Sequence, residues 1–434
     1  RRNRVGFRAP RRGGGVMGFD DRARPKEPVR ANFIAAYTLA QIGAFLSFQP
    51  LLQVLLPLKA GAIDPANKAV VLSQVTFYGA IVASVANLLA GAISDRTTSR
   101  FGRRRPGIVV GALGAALAYL AIMQAKTPLA LIGGIILFQL TFNLCFSALV
   151  AVMPDRVPDH QKGLVAAFQS LGNPIGTAAG AVLIGGVLVT ESSRYATISA
   201  VLLLGLAPLV LGFKDPPLPK ADAPPFDLAG FLRGLWVDPR EHPDFAFAWL
   251  GRFMVLVALS LIQSYMLYFL QDAMGYSRLF PGQRAEQGLA ILTAVSTLSN
   301  VALALAGGVL SDRLKRRKLF ACGAAFTMAL AMAVFSLSPR WPLMVAAYAV
   351  LGCGAGCFYA VDIAMVTQVL PSQRDTGKDL GVINLANTLP QALAPALAVW
   401  ALGPTHLNFH LLFLTAASLA MAGGLAILPI RGVR

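Results

Sequence analysis

The sequence predicts an all-α membrane protein with twelve transmembrane helices in two six-helix halves. Three observations carry this. Charge is scarce: 13% of the 434 residues are charged and 56% are hydrophobic, whereas a soluble chain carries about 25% charged residues. Lys and Arg concentrate in alternate loops between long uncharged stretches. And "GAISDR" (Gly91–Arg96) returns as "GVLSDR" (Gly308–Arg313), 217 positions later.

A spanning helix needs about 20 apolar residues. The uncharged runs Ala31–Leu58, Ala69–Ser94, Pro106–Ala125, Thr127–Pro154, Leu164–Thr190 and Tyr195–Phe213 supply spans 1 to 6. Span 7, Phe245–Gln271, carries the single charge Arg252. Gln287–Ser311 and Leu319–Pro339 are spans 8 and 9, and Trp341–Leu370, with the single charge Asp362, is span 10. "GPTHLNFH" (Gly403–His410) divides the uncharged run Leu380–Ile430 into spans 11 and 12. The expected organisation is an arm over residues 1–30, a first half over 31–213, a Pro-rich linker over 214–243, a second half over 244–430 and a tail over 431–434. Residues 1–16, before Met17, read as a disordered arm or an upstream-extended start; they lack the apolar region of a signal peptide.

From Met17 onward, the loops on the side of the chain ends hold 24 Lys and Arg, and the opposite loops hold 7. The positive-inside rule then puts both termini in the cytoplasm of a cell (inner) membrane. Cysteine labelling from the cytoplasm should modify Ser99→Cys and Lys315→Cys but not Asp64→Cys; labelling of position 64 alone reverses the orientation. The net charge of +18 is thus topological, and no nucleic-acid partner is expected.

No nucleotide-binding P-loop appears, and His160, His242, His406 and His410 have neither metal spacing nor mid-membrane placement. No enzyme, cofactor or metal is expected. Cys353 and Cys357 lie one turn apart, but Gly352 and Gly356 beside them form a GxxxG, which favours close helix packing over metal or redox chemistry.

The repeat continues: "VMPDR" (Val152–Arg156) matches "VLPSQ" (Val369–Gln373) at the same offset. Twelve spans in two halves with a basic loop after span 2 resemble the major facilitator superfamily. Of that family's signature G-x-x-x-D-[RK]-x-G-[RK]-[RK], Gly91, Asp95 and Arg96 match, while the second glycine comes four residues late, at Gly102, before Arg103, Arg104 and Arg105. This longer form, S-D-R-x-x-S-R-F-G-R-R-R-P, is similar to the sucrose transporters and the glycoside–pentoside–hexuronide cation symporters.

The resemblance implies a latch between the halves on the cytoplasmic side. Gly91 allows a close helix approach. Asp95 meets the start of span 11, where the helix dipole favours a carboxylate, and Arg96, Arg100 and Arg103 can reach Asp155. The alternative is that the arginines only set topology. The second copy, Gly308, Asp312 and Arg313, lacks the later glycine and has Ser372 where the first has Asp155.

Charge inside a membrane is costly and points to function. Arg252 lies 8 residues after Asp244, and Asp362 lies 8 residues before Leu370. Both therefore sit roughly 12 Å deep from the same side. Spans 7 and 10 line the central cavity in the resembled fold. An Arg252–Asp362 pair is either a static packing element or a coupling site, where H+ or Na+ on Asp362 releases Arg252.

Amides and phenols within the spans suit a hydroxyl-rich ligand: Tyr37, Gln41, Gln139, Asn143, Asn173, Gln263, Tyr268, Asn300 and Asn387 are the candidate substrate contacts. Amides also bridge helices in membranes. "SLGNPIGTAAG" in span 5 and "NTLPQALAP" in span 11 interrupt corresponding spans, as at transporter binding regions. The first reading is a monomeric, cation-coupled symporter of a sugar or glycoside. The alternatives are a proton-coupled drug or metabolite exporter, and a non-transporting receptor or assembly factor.

Overall fold

The computed structural model describes residues 28–213, 215–217, 238–314, 316–337, 340–369, 376–403 and 408–431. The first half consists of α1 (Ala31–Ile63), α2 (Lys68–Arg96), α3 (Arg105–Gln124), α4 (Pro128–Arg156), α5 (His160–Val187) and α6 (Glu191–Gly212). The second consists of α7 (Pro243–Ala273), α8 (Ala285–Leu314), α9 (Arg317–Leu337), α10 (Trp341–Gln368), α11 (Thr376–Leu402) and α12 (Phe409–Ile427). Eleven of these are long and apolar enough to cross a membrane on the described residues; α11 is the twelfth long helix. Among the described residues no strand occurs.

The helix ends follow local chemistry. Pro128 and Pro243 occupy the first position of α4 and α7, where a missing N–H costs nothing. Thr127, Thr190 and Asn408 cap α4, α6 and α12 through their side-chain oxygens. Helices α2 and α4 run past their uncharged stretches, so Asp95 and Asp155 lie in final turns rather than loops. The negative end of a helix dipole opposes a carboxylate there, and both need cationic partners.

Within the halves, α1 packs on α5 and α6, α3 on α4, α7 on α12, and α8 and α9 on α10. The halves meet along α2–α11, α5–α8 and α1–α7. Small residues set the closest crossings, as dispersion rather than water exclusion drives association in lipid. Gly43 on α1 faces Gly205 on α6, and Gly251 on α7 faces Gly423 on α12, so each half closes its first helix on its last through a glycine pair. The Gly352 and Gly356 step lays α10 on the backbone of α8 at Ser296 and Asn300. Gly91 and Gly308, expected at close approaches, are looser: a Cβ would stand 3.5 Å from Ser147 Oγ and 3.8 Å from the Ala360 methyl. Tight contacts in the first half are instead Gly111 of α3 against the backbone of Thr141 and Cys145, and Gly176 of α5 against the backbone of Ile42 and Leu46.

Among the described residues three π-helical turns interrupt the long helices: Leu51–Leu55 in α1, Ala181–Val187 in α5 and Phe269–Ala273 in α7. All three lie near the helix ends remote from the chain termini. That side is termed the far face, and the opposite side the basic face.

Candidate functional site

The basic face of the first half is organised around Arg104, which is 3% exposed. Its Nε donates to Asp155 Oδ2 at 2.6 Å, its Nη1 to Ser94 Oγ at 2.7 Å, and its Nη2 lies 2.8 Å from Asp95 Oδ1. Burial pulls the guanidinium down; the carboxylates of Asp155 and then Asp95 outweigh it and hold Arg104 above the ordinary arginine value. Arg103 Nη2 also donates to Asp95, at 3.0 Å. One arginine thus bridges the last turns of α2 and α4.

The sequence expectation put Arg96, Arg100 and Arg103 in this role. Arg96 donates to the Ala92 carbonyl of its own helix. The exposed Arg100 lies over the Phe101 ring at 4.8 Å. Within an R-R-R run, spacing alone does not say which arginine turns inward. The expected contact of Asp95 with the first turns of α11, and the side chain of Asp312, lie outside the described residues. Arg313 is exposed.

In the membrane interior, Arg252 of α7 pairs with Asp362 of α10 through Nη1 and Oδ2, with the side chains 9% and 0% exposed. Asn387 of α11 completes the group: its Oδ1 accepts from Arg252 Nε at 3.1 Å and Nη2 at 2.8 Å. Three helices of the second half therefore converge on one guanidinium. The sequence reading had placed Asn387 among the substrate contacts; here its oxygen faces the cation.

In the first half, Asn143 is central to an amide chain. Its Nδ2 donates to the Gln139 carbonyl at 2.8 Å and to Gln139 Oε1 at 3.2 Å, and its Oδ1 accepts from Asn87 at 3.3 Å. Tyr37 and Gln41 are buried one turn apart on α1. Asn173 is exposed and accepts from Thr177 Oγ1; Gln263 is exposed and Asn300 half-buried. Tyr268 lies elsewhere than expected. Its hydroxyl donates to the Pro57 carbonyl at 2.9 Å and lies 3.3 Å from the Lys68 carbonyl, so it belongs to the closure of the far face.

That closure joins the halves. Lys68 of α2 pairs with Asp272 of α7 at 2.7 Å and stands 4.7 Å over the Tyr268 ring. Arg194 of α6 reaches Glu286 of α8 at 3.4 Å. The carbonyls of Gly186 and Leu188 at the end of α5 accept from Arg284 and, at Gly186, from Gln287. Ser73 of α2 donates to the Pro395 carbonyl of α11 at 2.7 Å. In both ion pairs the first half supplies the cation and the second the anion.

Lys68→Glu should open the far face, and Lys68→Glu with Asp272→Lys should close it again. Spin labels at Ala66→Cys and Ser277→Cys should report about a two- to fivefold gain in open molecules for the single change. An unchanged distance distribution removes the pair from the closure.

The profile of the Major Facilitator Superfamily matches residues 33–285 and 280–433. The chain belongs to this superfamily. No curated protein sequence matches significantly. Solved structures share the superfamily fold: the nucleoside transporter NupG, at 16% identity with 92% of this chain and 99% of that chain covered, has a TM-score of 0.69. The peptide transporter POT in complex with sulfate, at 15% identity with coverage of 94% and 96%, has a TM-score of 0.73. The human organic anion transporter MFSD10 (TETRAN), at 15% identity with coverage of 92% and 100%, has a TM-score of 0.64. As a superfamily member the chain is a multi-pass membrane transporter of small molecules and not an enzyme. Among the described residues no His, Cys, Asp or Glu cluster fits a metal, and the four cysteines are free.

Proposed function

We propose that the protein moves a small polar solute, a sugar or glycoside, together with H+ or Na+ by alternating access, with Asp362 as the coupling carboxylate. The observation that carries this reading is the buried Arg252–Asp362 pair held by Asn387. Charge at this depth is costly to bury, and ionisable residues kept there usually serve function. Cation binding to Asp362 frees Arg252 and Asn387 to rearrange, and α7, α10 and α11 move with them. The amide chain Asn87–Asn143–Gln139 in the opposite half offers donors and acceptors to hydroxyls rather than to a net charge. The pairs Lys68–Asp272 and Arg194–Glu286 close the far face, so in this reading the solute exchanges with the basic face, which the positive-inside rule assigns to the cytoplasm of a cell (inner) membrane. The chain acts as a monomer in this reading.

Proteoliposomes with an imposed H+ or Na+ gradient should take up labelled glycosides above the external level. Extrusion of lipophilic cations without glycoside uptake supports the exporter instead. Absence of flux for either, with a stable partner on purification, supports a receptor or assembly factor.

A further inference from the structure

The turn between α2 and α3 makes a contact with the chain that leaves α6 toward the second half. Asp215 Oδ2 accepts from the backbone N–H of Arg104 at 2.7 Å and of Arg105 at 2.8 Å. Helix α3 starts at Arg105, and no side chain of the preceding residue caps it. Asp215 therefore supplies the missing cap from 110 residues away, at the end where the helix dipole favours a carboxylate. Phe213, the residue that follows α6, is held too: its carbonyl accepts from Arg105 Nη2, and its ring lies 5.2 Å from the Arg105 guanidinium.

Gly102 makes room for this. Its φ of +111° is a conformation that side-chain-bearing residues avoid, and a Cβ there would lie 2.3 Å from Asp215 Oδ2. The late glycine is thus required both for the turn and for the carboxylate that enters the space beside it.

Arg104 is gripped at two ends. Its backbone N–H is held by Asp215 and its guanidinium by Asp155, Asp95 and Ser94. We infer that Asp215 is a positioning residue of the basic-face network: by fixing the start of α3 it aims Arg104 at α2 and α4 together, and it fastens the inter-half connector to that network. Displacement of the connector as the halves rock is then transmitted to Arg104. This last step rests on alternating access; the cap does not.

The test uses the purified chain in nanodiscs, with hydrogen exchange at the Arg104 and Arg105 amides and spin labels at His160→Cys and Leu314→Cys. Asp215→Ala should speed exchange of both amides about tenfold. It should also shift the distance distribution toward wider separation of the halves on the basic face, the shift expected of Asp95→Asn, by about fivefold in population. Asp215→Asn, whose amide oxygen still accepts, should largely retain both properties. Gly102→Ala should reproduce the Asp215→Ala shift, and its cost to thermal stability should shrink in the Asp215→Ala background. Faster exchange with the wild-type distribution, where Asp95→Asn does shift it, reduces Asp215 to a helix cap and overturns the positioning role. Unchanged exchange overturns the contact itself. A distribution unmoved by Asp95→Asn as well counts against alternating access, and additivity of Gly102→Ala with Asp215→Ala then overturns the inference.

Discussion

Asp362→Asn should abolish cation-driven accumulation while counterflow exchange of substrate survives. Exchange requires binding and rocking but no net ion movement, so the two modes separate coupling from structure. The change also leaves Arg252 buried without its anion, which costs about 3–5 kcal/mol in comparable interiors. Asn387 still accepts from two guanidinium nitrogens and softens the loss. If the pair only fixes packing, accumulation and counterflow should fall together with thermal stability, and adding Arg252→Gln should recover folding. Full accumulation by Asp362→Asn alone ends the coupling role of this carboxylate. Asp272, at the far-face end of α7 and the next candidate for the coupling site, is engaged by Lys68; a cation there would compete with the closure.

Gly352→Ala and Gly356→Ala should each damage folding more than any other single-methyl addition on α10. The new Cβ would stand 2.2 Å from the Ser296 carbonyl oxygen and 2.1 Å from the Asn300 carbonyl oxygen. These are backbone atoms of a packed helix and cannot rotate away. Overpacking of this kind costs typically 1–3 kcal/mol, and relief requires α8 and α10 to separate. Gly133→Ala on α4 and Gly323→Ala on α9 are the controls, with nothing within 4 Å of the added methyl. They should be neutral or gain up to about 1 kcal/mol from helix propensity. Thermal unfolding and the monodisperse yield from gel filtration distinguish the pairs. Equal stability of Gly352→Ala and Gly133→Ala would falsify the close α8–α10 approach.

The spans were legible because charge is almost absent from them, and the Arg252–Asp362 pairing because two lone charges stand at matched depth from one face. Chain periodicity places such residues without knowledge of packing. The basic-face centre was only half legible. Asp95 announces itself by the repeat and Asp155 by the charge that ends an uncharged span, but Arg103, Arg104 and Arg105 are equivalent in one dimension, and only the fold turns Arg104 inward. Asp215 carried no signal, since a linker carboxylate that caps a helix 110 residues back obeys no spacing rule. The far-face pairs carry no sequence signal for the same reason: Lys68 and Asp272 are 204 positions apart and belong to different halves. Tyr268 misled because a tyrosine in an apolar helix looks alike whether it meets a ligand or a neighbouring backbone.

The π turns fix the length of the chain at the far face. A π turn carries one residue more than the α-helix needs, and every residue beyond it is rotated by about 100° relative to an uninterrupted helix. Leu51–Leu55 in α1 and Phe269–Ala273 in α7 are displaced from one another by 218 positions, close to the 217 of the sequence repeat. The two turns therefore occupy corresponding places near the far-face ends of the first helix of each half. The Pro57 carbonyl, beyond the turn on one tip, and Asp272, within it on the other, both enter the far-face seam. A deletion that straightened one tip would turn its seam residues away while the other kept its setting. A length change at either tip should therefore cost the far-face closure.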